Sequence, residues 1–382
     1  MLEALRSSAL YELKHIRNSW YKIMLLTLIP LSLAILIISI FGRGVVYKIP
    51  VVVVDNDHSK LSRLFTTHLD SSPTMDITYR VSSTKEALSL VQSAKAYTAI
   101  IIPHDFEKSV MLHLQPKITA MINTQYILIG KIITADLTSI VMKSSAEIEY
   151  IKSLADTQNS SISIAKVAPI GIQITPFFNT YKNYFYFLVS ALIPAIWQIF
   201  IVITMLIAIG GMTKEHRLGE FFKDRRHTLA KLIGLALPYT VIYTLWGVVF
   251  LLYLYSQWSF QGSFTVLIFA LFLTVIAYQS VALLLFVTGF DYAKSLSLGA
   301  VYTAPAFAFL GITFPIYSMN DFALLWRDIL PLSHYLQIQI SQANYGADIW
   351  LESDRLMILA SFLIVLIPVV LRFKSYLSKE IL

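Results

Sequence analysis

Cysteine is absent from all 382 residues, which excludes thiolate metal sites, redox motifs and disulfide staples. Any part of the chain outside a membrane must therefore be held by its own core. Charge is scarce as well. Only 14% of residues are Asp, Glu, Lys or Arg against 56% hydrophobic, a balance too apolar for an ordinary soluble protein of this length. No GxxxxGKS/T phosphate cradle occurs, so the chain has no P-loop ATPase site of its own. No HExxH zinc motif and no nucleophile elbow is present either. The net charge of +7 is modest, and its placement beside apolar runs orients a membrane protein rather than announcing nucleic acid.

What the chain has in abundance is long apolar runs. Residues 23–41, 184–211, 232–255, 264–290, 295–317 and 356–371 predict six transmembrane helices, each compared with a hydrocarbon core of roughly 30 Å at about 1.5 Å per residue. The first reads as an uncleaved anchor, because a short n-region is lacking and Gly42-Arg43-Gly44-Val45 offers no small-x-small cleavage site. Pro194 and Gln198 interrupt the second run, and the break between the fourth and fifth rests on Asp291 and Lys294. Arg6, Lys14, Arg17 and Lys22 precede the first span, and Lys214, Arg217, Lys223, Arg225, Arg226 and Lys231 follow the second. By the positive-inside rule both regions are cytoplasmic, and Lys294, Arg372, Lys374 and Lys379 fall on the same side. Both termini are then inside.

At the N-terminus, Leu2, Leu5, Leu13, Ile16 and Trp20 lie close to one helical stripe with Arg6, Lys14 and Arg17 elsewhere, the pattern of a helix in the membrane interface over residues 1–22. A charged leader before the anchor is the plainer alternative. Residues 45–178 differ in character and predict a mixed α/β domain outside the cytoplasm. Strands are expected at 49–54, 76–81, 97–102 and 118–122. Helices are expected from Asp57 or Ser59, with Leu61, Leu64, Phe65 and Leu69 inward, from the capping box Ser83-Thr84-Lys85-Glu86, with Ala87, Leu88 and Val91 inward, from Asp105, and over 126–154. The polar stretch 156–163 then loosens the chain, and Pro169, Gly171 and Pro176 mark a connector into the second span.

Asp55, Asp57 and Ser59 mimic the opening of a calcium loop, but Lys60 and Thr66 stand where glycine and glutamate are needed, so a strand-end turn that caps the next helix is the better reading. Inside the spans the polar residues are few. Gln198, Tyr278 and Gln279 are candidates to line a pathway, and interhelical hydrogen bonding accounts for them equally well. No Asp, Glu or Arg lies clearly mid-span, which weighs against a proton- or sodium-coupled carrier. The loop 212–231 interleaves Lys214, Glu215, Arg217, Glu220 and Arg225 with Leu218, Phe221 and Phe222. An amphipathic helix with an aromatic edge suits a groove in a soluble partner, and a solvated loop that fixes topology suits the composition as well.

This arrangement resembles the type-2 ABC exporter permeases, in the subgroup with a large domain between the first two spans. The resemblance covers nearly the whole chain. It is carried by IPVVVVDNDHS at 49–59, AIIIPHDF at 99–106, NTQY at 123–126, PFFN at 176–179, TKEHRLGE at 213–220, FPIYSM at 314–319 and LPLSHY at 330–335. It implies an elbow helix at 1–22, a five-helix transmembrane domain over 184–382, and broken re-entrant helices within 314–354 on the outer side. It also implies a coupling helix whose Lys214, Glu215, Arg217, Glu220, Phe221, Phe222 and Arg225 contact a nucleotide-binding subunit. The family often carries Glu-x-Gly-Thr there, and Leu218-Gly219-Glu220 lacks the threonine. ATP and Mg belong on the partner ATPase, with no cofactor on this chain. A second permease subunit, membrane lipids and a periplasmic adaptor are the other implied partners, in the inner membrane of a bacterial cell. The function so implied is export of a hydrophobic or amphipathic substrate, and the rival is a non-transporting scaffold or receptor whose outer domain binds an envelope partner.

Overall fold

A computed structural model of the chain describes residues 1–42, 44–112, 114–157, 183–256, 258 and 260–379. The expected connector with Pro169, Gly171 and Pro176, the PFFN run and nearly all of the polar stretch 156–163 lie outside the described residues. The chain divides into two units, Met1–Gly44 with Pro176–Leu382, and Val45–Thr175. The first unit opens with α1 (Leu2–Asn18), α2 (Trp20–Leu26) and α3 (Leu28–Phe41). Ser19, with extended backbone, separates α1 from α2. Thr27, at φ −128° and ψ −71°, separates α2 from α3 just ahead of Pro30, whose ring nitrogen has no proton for the helical carbonyl of Leu26.

In the unit Val45–Thr175 the elements are β1 (Ile49–Asp55), α4 (Lys60–Asp70), β2 (Met75–Val81), α5 (Thr84–Gln92), β3 (Thr98–Ile102), α6 (Phe106–Met111), β4 (Thr119–Ile122) and α7 (Ile127–Thr157). The sheet order is β2-β1-β3-β4, with β1 parallel to both neighbours and β4 antiparallel to β3. As the central parallel strand, β1 is covered on both faces, which explains its unbroken valine run. Val51 and Val53 pack with Leu61, Phe65, Leu69 and Ile133 on one side. Val52 and Val54 pack with Ala87, Ala96 and Ala99 on the other. Leu64, expected inward on α4, is 38% exposed.

Asp55 and Asp57 close the strand-end turn, and their carboxylates are taken up by amides and a hydroxyl of the protein. Asp55 accepts from the amides of Asp57 and His58 at 3.0 Å and from the Ser62 hydroxyl at 2.8 Å. Ser59 caps α4, accepting from the Ser62 amide at 3.0 Å. Asp57 reaches further than expected and caps α6, accepting from the amides of Phe106 at 2.9 Å and Glu107 at 3.0 Å. The residue that precedes α6, Asp105, sits in the left-handed region at φ 53° and makes no side-chain cap, so Asp57 substitutes for it.

The first unit resumes with α8 (Tyr184–Lys214), α9 (Leu218–Phe221), α10 (Thr228–Ser256), α11 (Phe264–Val287), α12 (Tyr292–Thr303), α13 (Ala306–Phe309), α14 (Asp321–Asp328), α15 (Pro331–Ile340), α16 (Ser353–Ser361) and α17 (Leu366–Lys379). Among the described residues, five stretches are long and apolar enough to cross a membrane: Trp20–Phe41, Tyr184–Lys214, Arg225–Ser256, Phe264–Val287 and Ile349–Ser378. Within these stretches α8 is 72% and α11 is 78% buried, against 11% for the first and 17% for the last, so α8 and α11 form the centre and the other two its rim. The span expected over 295–317 is not a continuous helix. Asp291 caps α12 by accepting from the Lys294 amide at 2.7 Å, but α12 has only 12 residues, about 18 Å at 1.5 Å per residue. It gives way at Ala304 and Pro305, resumes for the four residues of α13, and the chain then turns at Gly311 with φ +80°.

The helix α1 packs on α10 through Ser8, Ala9, Glu12 and Ile16. The approach is close enough that a Cβ on Gly234 would stand 2.4 Å from the Leu5 carbonyl oxygen. Of the expected apolar stripe only Ile16 is buried, while Leu2, Leu13 and Trp20 are 78%, 48% and 73% exposed. The small and polar face thus packs on protein, leaving the large apolar side chains outward.

Candidate functional site

The connection from α8 to α10 is where the charged residues gather. After α8, His216 takes a positive φ of 54° and redirects the chain into the single turn α9. Asp224 then caps the next turn, accepting from the Arg226 amide at 3.1 Å and pairing with His227 Nδ1 at 2.6 Å. That His227 hydrogen bond is the main reason the Asp224 carboxyl lies below the usual carboxylate range. Of the two readings, an amphipathic helix or a solvated loop, the connection takes neither form outright: it is two short turns, Leu218–Phe221 and Arg225–His227.

Both terminal helices of the chain hold this connection. Arg217 donates to the Tyr11 hydroxyl and to the Glu215 carboxylate, approaches His15 Nε2 at 3.3 Å and lies 5.9 Å from the Tyr11 ring centre. Phe221 packs on Tyr11 with ring centres 5.0 Å apart. From the other side Arg225 donates to the Leu377 carbonyl at 2.8 Å and the Ser378 hydroxyl at 3.0 Å. Phe222 is fully buried, with its ring 5.1 Å from Phe373. Lys231 donates to the Phe221 carbonyl at 2.6 Å. The aromatic edge is thus spent on the chain's own core. Of the residues expected to meet an ATPase subunit, Lys214, Glu215 and Glu220 are exposed, Arg217, Phe221 and Arg225 are half-buried in the clamp, and Phe222 is out of reach of any partner. Lys223, Asp224 and Arg226 complete the exposed charged face.

Directly behind the clamp lies a buried polar cluster that periodicity did not single out. Glu12 is fully buried and Lys22 nearly so, and they pair at 2.6 Å across the α1–α2 bend. The Tyr239 hydroxyl of α10 donates to the same carboxylate oxygen, Oε1, at 2.5 Å. His15, one turn along, is held below the ordinary imidazole value by burial and by the charges of Lys22 and Arg217, with Glu12 opposing. Glu12, three residues before His15 and so on the same helical face, was the available signal, obscured because its partners Lys22 and Tyr239 are distant in sequence.

The polar residues within the spans do related work. Gln198 donates to the Thr303 carbonyl at 3.2 Å, a group left over at the end of α12. Its other amide atom, Oε1, is buried without a partner. The Tyr278 hydroxyl accepts from the Leu332 amide at 3.2 Å, an orphan donor at the start of α15. Gln279 accepts from the Thr240 hydroxyl at 2.8 Å and donates to the Ala236 carbonyl at 3.3 Å, beside Pro238. Tyr278 and Gln279 adjoin on α11, and neither bonds Gln198. Two further residues repair proline breaks. Trp246 donates at 2.9 Å to the Leu26 carbonyl that Pro30 leaves free, and Gln339 donates at 3.0 Å to the Ser190 carbonyl that Pro194 leaves free. The prolines were the sequence signal, and the identity of the repairing residue was not readable from it.

Compared with known families, residues 21–372 match the ABC-2 family transporter protein family. Comparison with curated proteins returned no match, and comparison with solved structures returned none. The matched stretch takes in the five long apolar stretches found among the described residues, apart from Trp20 of the first and the last few residues of the fifth, together with the clamped charged connection. The chain is a membrane protein that belongs to the ABC-2 transporter family.

Proposed function

We propose that the chain is the membrane-spanning permease subunit of an ATP-driven exporter, moving a hydrophobic or amphipathic substrate out of the cytoplasm or the inner membrane. Family membership implies association with an ATPase subunit, and no P-loop occurs in these 382 residues, so ATP and Mg belong to the ATPase subunit. The observation that carries the reading is the α8–α10 connection: an exposed charged face of Lys214, Glu215, Glu220, Lys223, Asp224 and Arg226, braced from behind by Arg217, Phe221, Phe222 and Arg225. A mobile loop would absorb a push from a partner, whereas this one passes it to α1 and α17.

In this reading both termini and the charged connection are cytoplasmic, the unit Val45–Thr175 is periplasmic, and Tyr292–Phe309 completes a sixth crossing as a broken helix. Two such subunits enclose the pathway, and a periplasmic adaptor meets the outer unit. The interhelical bonds of Gln198, Tyr278 and Gln279 favour a structural role for them within one subunit over a lining role. Purification of the full chain from native membranes in mild detergent is expected to bring with it a P-loop subunit identifiable by mass spectrometry, with ATP hydrolysis that depends on both. A chain that purifies without any such subunit, at its native abundance and with its spans intact, contradicts the reading and favours the scaffold.

A further inference from the structure

A crevice of about 340 Å³ opens between α3, α8 and α10. Its walls are Ala34 and Ile38 from α3, Trp197 and Phe200 from α8, and Phe250 and Tyr253 from α10. Ile35 and Val249, both more than half exposed, stand on its open side. All three walls belong to stretches long and apolar enough to cross a membrane, so the medium beyond the opening is hydrocarbon.

We propose that this crevice is a binding site for a single hydrocarbon chain taken from the membrane. Its volume falls at the lower end of the roughly 300–1,000 Å³ typical of small-molecule pockets. The lining is almost wholly carbon, which excludes water, since a bound water needs two or more polar partners. A helix from a second copy, about 10 Å across with its side chains, would lie over the opening rather than fill the crevice. A hydrocarbon chain meets both constraints.

The walls are also built rather than incidental. Pro30 and Pro194 both line the crevice: Pro30, in the first turn of α3, offers no donor to the Leu26 carbonyl at the end of α2, and Pro194 removes one bond from the ladder of α8. The carbonyls they free, on Leu26 and Ser190, are already taken by Trp246 and Gln339. Trp246 itself lines the crevice, and its bond to the last residue of α2 tethers α10 beside the start of α3. With those carbonyls satisfied, neither proline break leaves a group that calls for a polar ligand.

The test is photolabelling of the full chain in nanodiscs of phosphatidylethanolamine and phosphatidylglycerol. Two probes are used, a phosphatidylcholine and a free fatty acid, each with a diazirine on the acyl chain, and labelled peptides are mapped by mass spectrometry. Labelling of residues 30–38, 193–200 and 246–253 is expected to saturate and to exceed that at the exposed Phe272 of α11 by about tenfold, the ratio that a preference of 1.4 kcal/mol gives. Saturable labelling by the phospholipid identifies a resident lipid tail, and labelling by the fatty acid alone identifies a mobile single-chain hydrophobe; either supports the site. Ala34→Trp, which fills the crevice, should abolish the excess, and the milder Ala34→Leu should lower it in protein that remains monodisperse. Unsaturable labelling at the level of Phe272, or excess labelling indifferent to both substitutions, overturns the proposal.

Discussion

The two units solve the same problem, the orphan backbone groups where helices begin and break, in different ways. In Val45–Thr175 short polar side chains in the turns do it: Ser59 caps α4, Ser83 caps α5 and Asp57 caps α6. In the membrane unit Asn183, Ser263 and Asp291 cap helices in the same manner, but the breaks within the bundle are repaired by long side chains reaching from other helices. Trp246, Gln339, Gln198 and Tyr278 each bond a backbone group more than 50 residues away. The difference teaches that, where water is absent, a broken helix must be completed by tertiary structure, so local flaws in these spans become points of cross-linking.

The largest expected effect breaks that cross-linking at its most charged point. Lys22→Ala leaves Glu12 buried with only Tyr239 as a donor and is expected to cost about 3–5 kcal/mol, read as thermal unfolding in detergent. Replacing both partners, with Glu12→Leu and Lys22→Met together, should recover most of the loss; a double variant as unstable as the single would mean that the pair itself holds α1 in place. Next, Trp246→Phe strands the Leu26 carbonyl and should cost about 1–3 kcal/mol. Pro30→Ala returns a helical donor to that carbonyl, so the cost of Trp246→Phe should fall in the Pro30→Ala background. Strict additivity in that cycle would refute the repair.

The smallest effect belongs to the α/β unit. Asp57→Ala removes the cap of α6 and should cost about 0.5–2 kcal/mol, seen as faster amide exchange at Phe106 and Glu107. Burial pushes the Asp57 carboxyl up, but hydrogen bonds from Ser59, Glu107 and Phe106 and the nearby His104 outweigh it and hold it below the usual carboxylate range. Because the folded value is the lower one, the stabilisation is complete above the unfolded value near 3.9 and is lost as pH falls through the folded value. The protection of Phe106 and Glu107 should therefore vanish in strong acid in the native chain and show no such step in the Asp57→Ala variant.

Much of the element pattern was legible in the sequence. The valine run of β1, the Ser59 and Ser83 caps and the hydropathy of five long helices each depend on neighbours within a few residues, which is the range over which periodicity and capping speak. The break within the run 295–317 was not legible because hydropathy is blind to the interruption at Ala304 and Pro305, where an apolar run stays apolar while its helix breaks. The aromatic edge of 218–222 looked free for a partner because Tyr11 and Phe373, which cover it, lie at opposite ends of the chain. Glu12 was passed over for the same reason. Contacts between remote segments decide which side of an amphipathic stretch is spent inside the molecule, and one chain's pattern does not record them.

The most direct test of the permease reading is to reverse charge on the exposed face alone. Lys214→Glu with Lys223→Glu alters two exposed side chains outside the clamp, whereas Arg217→Glu breaks the contacts to Tyr11 and His15. Retention of the ATPase subunit on purified protein is measured for both, alongside membrane insertion and thermal stability. The account predicts that the double reversal inserts and melts like the native chain but loses the ATPase subunit, while Arg217→Glu lowers stability as well. Undiminished retention by a stable, correctly inserted double variant would contradict it.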